Sequence, residues 1–447
     1  MAGNTENRDQ WGSKFGFIMA AAGSAVGLGN IWRFPYITGK YGGAAFVLVY
    51  LAVVIVLGMS VMLAEFAIGR KAKLDAVGSL KKLGGGWWPI VGWMGFFCAF
   101  VILSYYAVIA GWTLAYMFKS FGGLMDAAAA GKAGDVFGAF VSDPVQAIMY
   151  HIIVMIVVIG IVYRGISGGI EKSCKVLMPA LFGILVLLIG RSVTLPGAMA
   201  GLEFYLLPDF SKLTGEAILA AVGQGFFSLS LGMGVMITYG SYLNNKEYMP
   251  HMTATIVFLD TAVAIMAGLV IFPAVFAFGV DAGAGPGLTF VTLPSVFAKM
   301  PLGSVFSFAF FALLFIAALT SAISLLEVVV TYSIDELHWS RTKSALLMGG
   351  AIMLLGIPSA LSVGGHIPQI AGKDFLDAAD FVTNNVIMPI GGLLIALFVG
   401  WVWTKGAKEE VTNNGTHPFP QYSVWLWICR IVAPVCIGFI FINGLKW

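Results

Sequence analysis

The stretch Gly23-Ser24-Ala25-Val26-Gly27-Leu28-Gly29-Asn30, followed by Arg33 and Pro35, sits in the middle of an apolar run that begins near residue 14. A second stretch, Ser228-Leu229-Ser230-Leu231-Gly232-Met233-Gly234, interrupts a later apolar run in the same manner. Each pairs two glycines one residue apart with small hydroxyl side chains. Glycine weakens a helix interior, and two in three residues favour local unwinding. At membrane depth, unwound backbone is tolerated only inside protein or along a cavity. For either glycine pair alone, close packing between helices is the competing explanation.

The rest of the chain supplies the membrane setting. Of its 447 residues, 59% are hydrophobic and 11% charged, against about 25% charged in a soluble domain. That is too little polar surface for a soluble fold of this length, so the chain reads as an all-α polytopic membrane protein, one integral domain over 1–447. A net charge of +3 gives no reason to expect nucleic acid. Cys98, Cys174, Cys429 and Cys436 fall in or beside apolar segments without CxxC spacing, which argues against disulfides or zinc. The polar start leads into an apolar segment too rich in motif to be a discarded signal.

A spanning helix needs about 20 apolar residues. Eleven runs qualify, at roughly 14–37, 42–70, 88–122, 146–163, 169–190, 217–243, 251–280, 303–337, 341–358, 378–404 and 422–445. Phe290–Met300 is too short to cross and reads as a helical hairpin lying over one face. The interrupted runs are the first and the sixth. Broken helices at corresponding places in two five-helix halves point to a secondary transporter with inverted repeats. The repeats would cover about 14–190 and 217–404, with 422–445 as an extra span. Placing the N-terminus in the cytoplasm puts fifteen of the 25 Lys and Arg residues inside and eight outside, with Arg33 and Arg430 in spans. Positive residues favour the cytoplasmic side, so the C-terminus is expected outside.

Ionisable residues within spans are functional candidates by default. Asp260 lies in IVFLDTAVAIMAG; Glu65 and Glu327 read equally well as carboxylates that pin helices together; Arg430 has no evident role. Sodium, a hard cation, suits carbonyl, hydroxyl and carboxylate oxygens. Unwound helices free such carbonyls, and Thr320-Ser321 adds adjacent hydroxyls within an apolar run. A lone Thr-Ser pair often bonds back to its own helix, so it gains meaning only beside the broken helices.

GSAVGLGNIWRFPY (23–36), GQGFFSLSLGMGVMITYGSY (223–242) and LTSAISLLE (319–327) together resemble the neurotransmitter:sodium symporter family, specifically its eleven-span bacterial amino-acid transporters. The resemblance runs from about Arg8 through the tenth span. It implies a first sodium site from Ala25, Asn30, Ser228 and Asp260 with the substrate carboxylate. A second would use carbonyls of Gly23, Val26 and Ala317 with the hydroxyls of Thr320 and Ser321. The substrate carboxylate would meet amides near Leu28 and Gly29 and the Tyr106 hydroxyl; its ammonium would meet carbonyls around Ser24, Ala25, Phe227, Ser228 and Ser230. Its side chain would lie against Ile102, Phe227, Met233, Ser321 and Leu325. Arg33 and Asp380 resemble an outer charged gate beneath which Tyr106 and Phe227 form a lid. Arg8 and Asp335 resemble an inner gate, with Trp11 packed beneath. Gly169 and Pro179 match a fifth span that unwinds to admit water.

Animal members carry asparagine at the position of Asp260 and serine at that of Ala264, and they bind chloride nearby. A fixed carboxylate here implies chloride-independent transport. Small Ser24 and Ser230, flexible Met233 and the lack of an unpaired charge in the pocket imply a hydrophobic L-amino acid, aromatic or branched. Two sodium ions per substrate and a bacterial inner membrane follow from the same resemblance. A channel would need filter-like repeats or rings of charge, and an enzyme a clustered acid, base or metal set. The five histidines are scattered and form no HExxH, so no enzyme is expected. A sodium-dependent amino-acid sensor on the same scaffold stays open as the alternative.

Overall fold

The computed structural model describes residues 9–279 and 287–445. Nine helices among them are long and apolar enough to cross a membrane: Ala44–Ala72, Pro89–Lys119, Pro144–Tyr163, Ile166–Val193, Met249–Ala277, Gly303–Asp335, Arg341–Ser362, Phe375–Val402 and Tyr422–Gly444. A tenth span is a pair, Lys14–Ala25 and Gly29–Lys40, bent by 53°. The sixth run of the sequence is realised as two shorter helices, Gly215–Ser228 and Val235–Ser241, flanking non-helical residues 229–234. Each five-helix set thus leads with a broken helix, the arrangement of an inverted repeat.

Helix starts follow side-chain capping. Ser13 accepts from the Gly16 amide, Asp143 from the Val145 and Gln146 amides, and Thr214 from the Ala217 amide. Packing then sorts the spans. The most apolar stretch of the eighth span, Gly303–Asp335, is 78% buried, whereas that of the last, Tyr422–Gly444, is 22% buried. The first, third, sixth and eighth spans form the centre, and the others present exposed apolar residues such as Ile156, Val176, Leu354 and Ile442 outward, as lipid requires. At Gly69 a side-chain carbon would lie 1.9 Å from the Ile237 carbonyl oxygen, so the second span and the second half of the sixth cross backbone to backbone.

One expectation is corrected. Among the described residues, the non-crossing segment is a single helix, Leu288–Ala298, not a hairpin. Its Phe290 ring sits 5.2–5.8 Å from the rings of Trp32, Trp112, Tyr116, Phe137 and Phe311. A hairpin has no need to form when one apolar face is already covered this way. Two other short helices, Ala133–Val141 and Ala198–Leu206, cap the bundle where the sequence showed only connections.

Candidate functional site

The first helix ends as Val26 turns to an extended conformation, φ −69° and ψ 98°. Its last carbonyls lose their helical partners and find hydroxyls instead. Ser230 Oγ donates to the Ser24 carbonyl at 3.0 Å, and Ser321 Oγ lies 3.1 Å from the same oxygen and 3.4 Å from that of Val26. When the chain resumes a π-helical turn at Gly29–Arg33, the Leu28 amide donates to Tyr106 Oη at 3.2 Å. In the sixth span, Gly232 (φ +78°) and Gly234 (φ +77°) adopt left-handed torsions that glycine takes without strain. The amide freed at Gly232 donates to Glu65 Oε1 at 2.8 Å, so Glu65 satisfies the break from the neighbouring span.

Two oxygen clusters flank these breaks. In one, Asp260 Oδ1 accepts from Asn30 Nδ2 at 2.8 Å and Oδ2 accepts from Ser228 Oγ at 2.8 Å. Tyr50 Oη adds a 3.2 Å contact to Ser228 Oγ. Ala25, Asn30, Ser228 and Asp260 are all buried. The other cluster is neutral. Ser321 Oγ lies 3.2 Å and Thr320 Oγ1 3.1 Å from the Ala317 carbonyl, while a carbon on Gly23 would sit 3.2 Å from Thr320 Cβ. Such all-oxygen sets suit a hard cation.

Between the breaks lies a cavity of about 320 Å³. All twelve residues expected to touch substrate line it, from Ser24 and Leu28 on one side to Ile102, Met233 and Leu325 on the other. Its polar edge is largely backbone and hydroxyl, and its apolar edge carries no charged side chain. Tyr105, Ile109 and Leu376 line it as well, and Ser324 backs it through a 2.6 Å contact between its hydroxyl and that of Ser24. These four were missed because no local pattern marks an ordinary residue of a long apolar helix.

Comparison with known proteins gives the same answer along almost the whole chain. The model of the sodium:neurotransmitter symporter family matches residues 8–130 and 141–446. The chain belongs to the sodium:neurotransmitter symporter family. The sodium-dependent transporter YhdH of Bacillus subtilis is 41% identical over 97% of this chain and 97% of its own length. A sodium-dependent transporter of Haemophilus influenzae is 39% identical over 100% of both chains. The crystal structure of MhsT in complex with L-phenylalanine superposes with a TM-score of 0.89 at 46% identity, covering 98% of this chain and 100% of that one. The protein is therefore a multi-pass membrane transporter of a sodium symporter family.

The two ends of the symporter's cavity differ. Toward Asp380 the cavity continues past Arg33, Asp377 and Asn384. Arg33 and Asp380, expected as a charged gate, form no ion pair within 4 Å. The Arg33 guanidinium stacks 5.0 Å from the Phe227 ring centroid, and Asp380 accepts from Asn384 Nδ2 at 2.5 Å. The opposite end is packed shut. The Trp11 indole N–H donates to the Tyr239 carbonyl at 3.1 Å, and its ring meets those of Phe17, Tyr239 and Tyr242 edge-on.

Asp335 is present there, its Oδ2 accepting from the Asp75 amide at 2.7 Å, while Arg8 lies outside the described residues. The sequence reading missed two further ties. Arg341 makes paired 2.9 Å bonds to fully buried Glu327 and reaches Asp9 at 3.4 Å. Glu171 accepts from the Gly12 amide at 2.6 Å and from Ser13 Oγ at 2.9 Å, fastening the N-terminal segment to the fifth span. Gly169 lies in a π-helical turn, Ile166–Glu171, and Pro179 lies inside the following helix, Lys172–Val193.

Proposed function

We propose that this symporter carries a hydrophobic L-amino acid, aromatic or branched, into the cell with two sodium ions by alternating access and without chloride. The observation that carries the reading is a cavity enclosed by two broken helices, with an oxygen cluster at each flank. One sodium would be held by Ala25, Asn30, Ser228, Asp260 and the substrate carboxylate. The other would be held by Gly23, Val26, Ala317, Thr320 and Ser321. The substrate carboxylate would meet the amides at Leu28 and Gly29, as anions do at helix N-termini, and take the Tyr106 hydroxyl as a donor. Its ammonium would lie among carbonyls around Ser24, Ala25, Phe227, Ser228 and Ser230. The apolar wall of Ile102, Met233 and Leu325 favours a hydrophobic side chain, and the MhsT structure holds L-phenylalanine.

Asp260 supplies one fixed negative charge to one sodium, which is why no anion is needed. The Lys and Arg distribution supports a cytoplasmic N-terminus and an external C-terminus, and the bacterial relatives support a bacterial cytoplasmic membrane. Two charges moved inward contribute about 2.3 kcal/mol each per 100 mV, and a tenfold sodium gradient adds about 1.4 kcal/mol per ion. The sum, roughly 7 kcal/mol, supports about 10⁵-fold accumulation at full coupling. Because the substrate carboxylate would ligate one ion, each raises the affinity of the other.

The test is uptake of radiolabelled tryptophan, tyrosine and leucine into proteoliposomes under an inward sodium gradient, with an equal potassium gradient as control. Sodium-driven accumulation that collapses with the gradient is expected. Binding with no accumulation of any of the three would overturn transport of this panel and point to a sensor or to a substrate outside it.

A further inference from the structure

Arg430, in the last span, has no part in the transport reading. It lies eight residues beyond Tyr422, about 12 Å into that helix. Tyr422 Oη donates to the Thr404 carbonyl at 3.1 Å, tying the start of the last span to the end of the tenth. One turn earlier on the tenth, Gly400 receives Arg430 itself. Arg430 Nε donates to the Gly400 carbonyl at 2.7 Å, and a side-chain carbon on residue 400 would fall 2.9 Å from Arg430 Cγ. Both helices carry a π-helical turn at this crossing, Phe398–Val402 and Ile428–Val432. Such turns occur often at functional sites. The guanidinium lies 5.1 Å from the Trp401 ring centroid, and Trp401 Nε1 donates to the Arg430 carbonyl at 3.3 Å.

A guanidinium is a cation, and in apolar surroundings it calls for an anion. Among the described residues no carboxylate lies within 4 Å of it, and Nη1 and Nη2 have no protein acceptor. The surface around it is apolar and outward-facing: Trp401 is 61% exposed and Trp427 58%. An arginine side chain leans toward the N-terminus of its helix, here toward Tyr422. On that side lie Lys405 and Lys408, both exposed on the helix Thr404–Val411, with Lys408 Nζ 5.5 Å from the Tyr422 ring centroid. The same helix carries Glu409, which is exposed, and Glu410, which is buried and paired with Arg70 at 2.5 Å, so the exposed rim stays net positive. A planar pair of donors on an aromatic face matches a phosphate, which guanidinium binds bidentately.

We propose that Arg430 and Trp401 form a headgroup site for an anionic phospholipid, with its phosphodiester on the Arg430 Nη pair and its acyl chains along Ile431 and Val435, farther from Tyr422. Lys405 and Lys408 select a net-negative headgroup over a zwitterionic one. The test is native mass spectrometry of the full chain in detergent, titrated with phosphatidylglycerol or phosphatidylcholine. The wild type should retain one phosphatidylglycerol roughly tenfold more tightly than phosphatidylcholine. Arg430→Gln should abolish that preference, and Trp401→Leu, which leaves the charge in place, should weaken it severalfold. Thermal melting identifies any variant that fails to fold; should Arg430→Gln do so, Trp401→Leu and Lys405→Gln carry the test. Equal retention of the two lipids by the wild type, or undiminished preference in the folded variants, overturns the site.

Discussion

Ser228 Oγ, on the last turn before the second break, donates a 2.8 Å hydrogen bond to Oδ2 of Asp260 on the seventh span. With Asn30 on the opposite oxygen, both lone-pair faces of the carboxylate are oriented by groups from the two broken helices. Removing its charge should expose a need for another anion. Asp260→Asn is expected to raise the sodium concentration for half-maximal uptake tenfold or more, about 1.4 kcal/mol. Adding Ala264→Ser, the residue of the chloride-binding relatives, should make uptake rise with chloride. Wild-type uptake stimulated severalfold by chloride would contradict this account of Asp260.

Tyr106 Oη accepts from the Leu28 amide at 3.2 Å, at the point where a substrate carboxylate would arrive. Its own proton then remains to be donated to that carboxylate. Tyr106→Phe should raise KM for every transported amino acid by roughly tenfold, the scale of one charged hydrogen bond, while leaving their rank order unchanged. Competition uptake across a panel of amino acids measures both. A changed rank order would place Tyr106 against the side chain instead.

Glu327 is fully buried and held by Arg341, by the Tyr242 hydroxyl at 2.7 Å and by Thr331. Deleting Arg341 strands a buried charge, which costs about 3–5 kcal/mol. Arg341→Met should lower the melting temperature of the purified symporter sharply. Arg341→Met with Glu327→Gln should recover much of the loss, because no charge is left unpaired. Additive losses in this double-mutant cycle would show that the pair is not coupled.

How much of this was legible depended on how local each signal is. The second break follows from glycines that take left-handed torsions, Gly232 and Gly234. The first break was located by the same glycine pattern, yet Gly27 and Gly29 serve a different end. Neither has a positive φ; a carbon on Gly27 would lie 2.9 Å from Ser321 Oγ, and one on Gly29 would lie 2.9 Å from the Phe227 ring. Space for the cavity, more than torsional freedom, explains them. Glu327 was legible as a carboxylate that pins helices, but its partner Arg341 and the tie of Glu171 to Gly12 lie at helix ends, where a charged residue reads as solvated. The short covering helices have too few residues to show a period.

Asp75 begins the helix Ala76–Gly84 beyond the end of the second span, and its Oδ1 accepts from the amides of Val77 and Gly78 at 2.8 and 3.3 Å. Oδ2 is buried and has no hydrogen-bond partner among the described residues. Burial first, then the nearby carboxylates of Asp335 and Glu336, pushes this carboxyl up to about 7 from its ordinary value near 3.8. Among the described residues Tyr332 also faces Asp75 and Glu336, and Lys81 pairs with Glu336 at 3.8 Å. A carboxyl raised on folding stabilises the folded state in its protonated form. That contribution is complete below about pH 4 and is lost as pH rises through about 7. The symporter should therefore melt at a higher temperature at pH 5.5 than at pH 8.5, with this group contributing on the order of 1–3 kcal/mol. Asp75→Asn keeps the helix cap and cannot titrate, so its melting temperature should vary less over that range. Should the variant retain the full wild-type pH slope, the titrating group lies elsewhere.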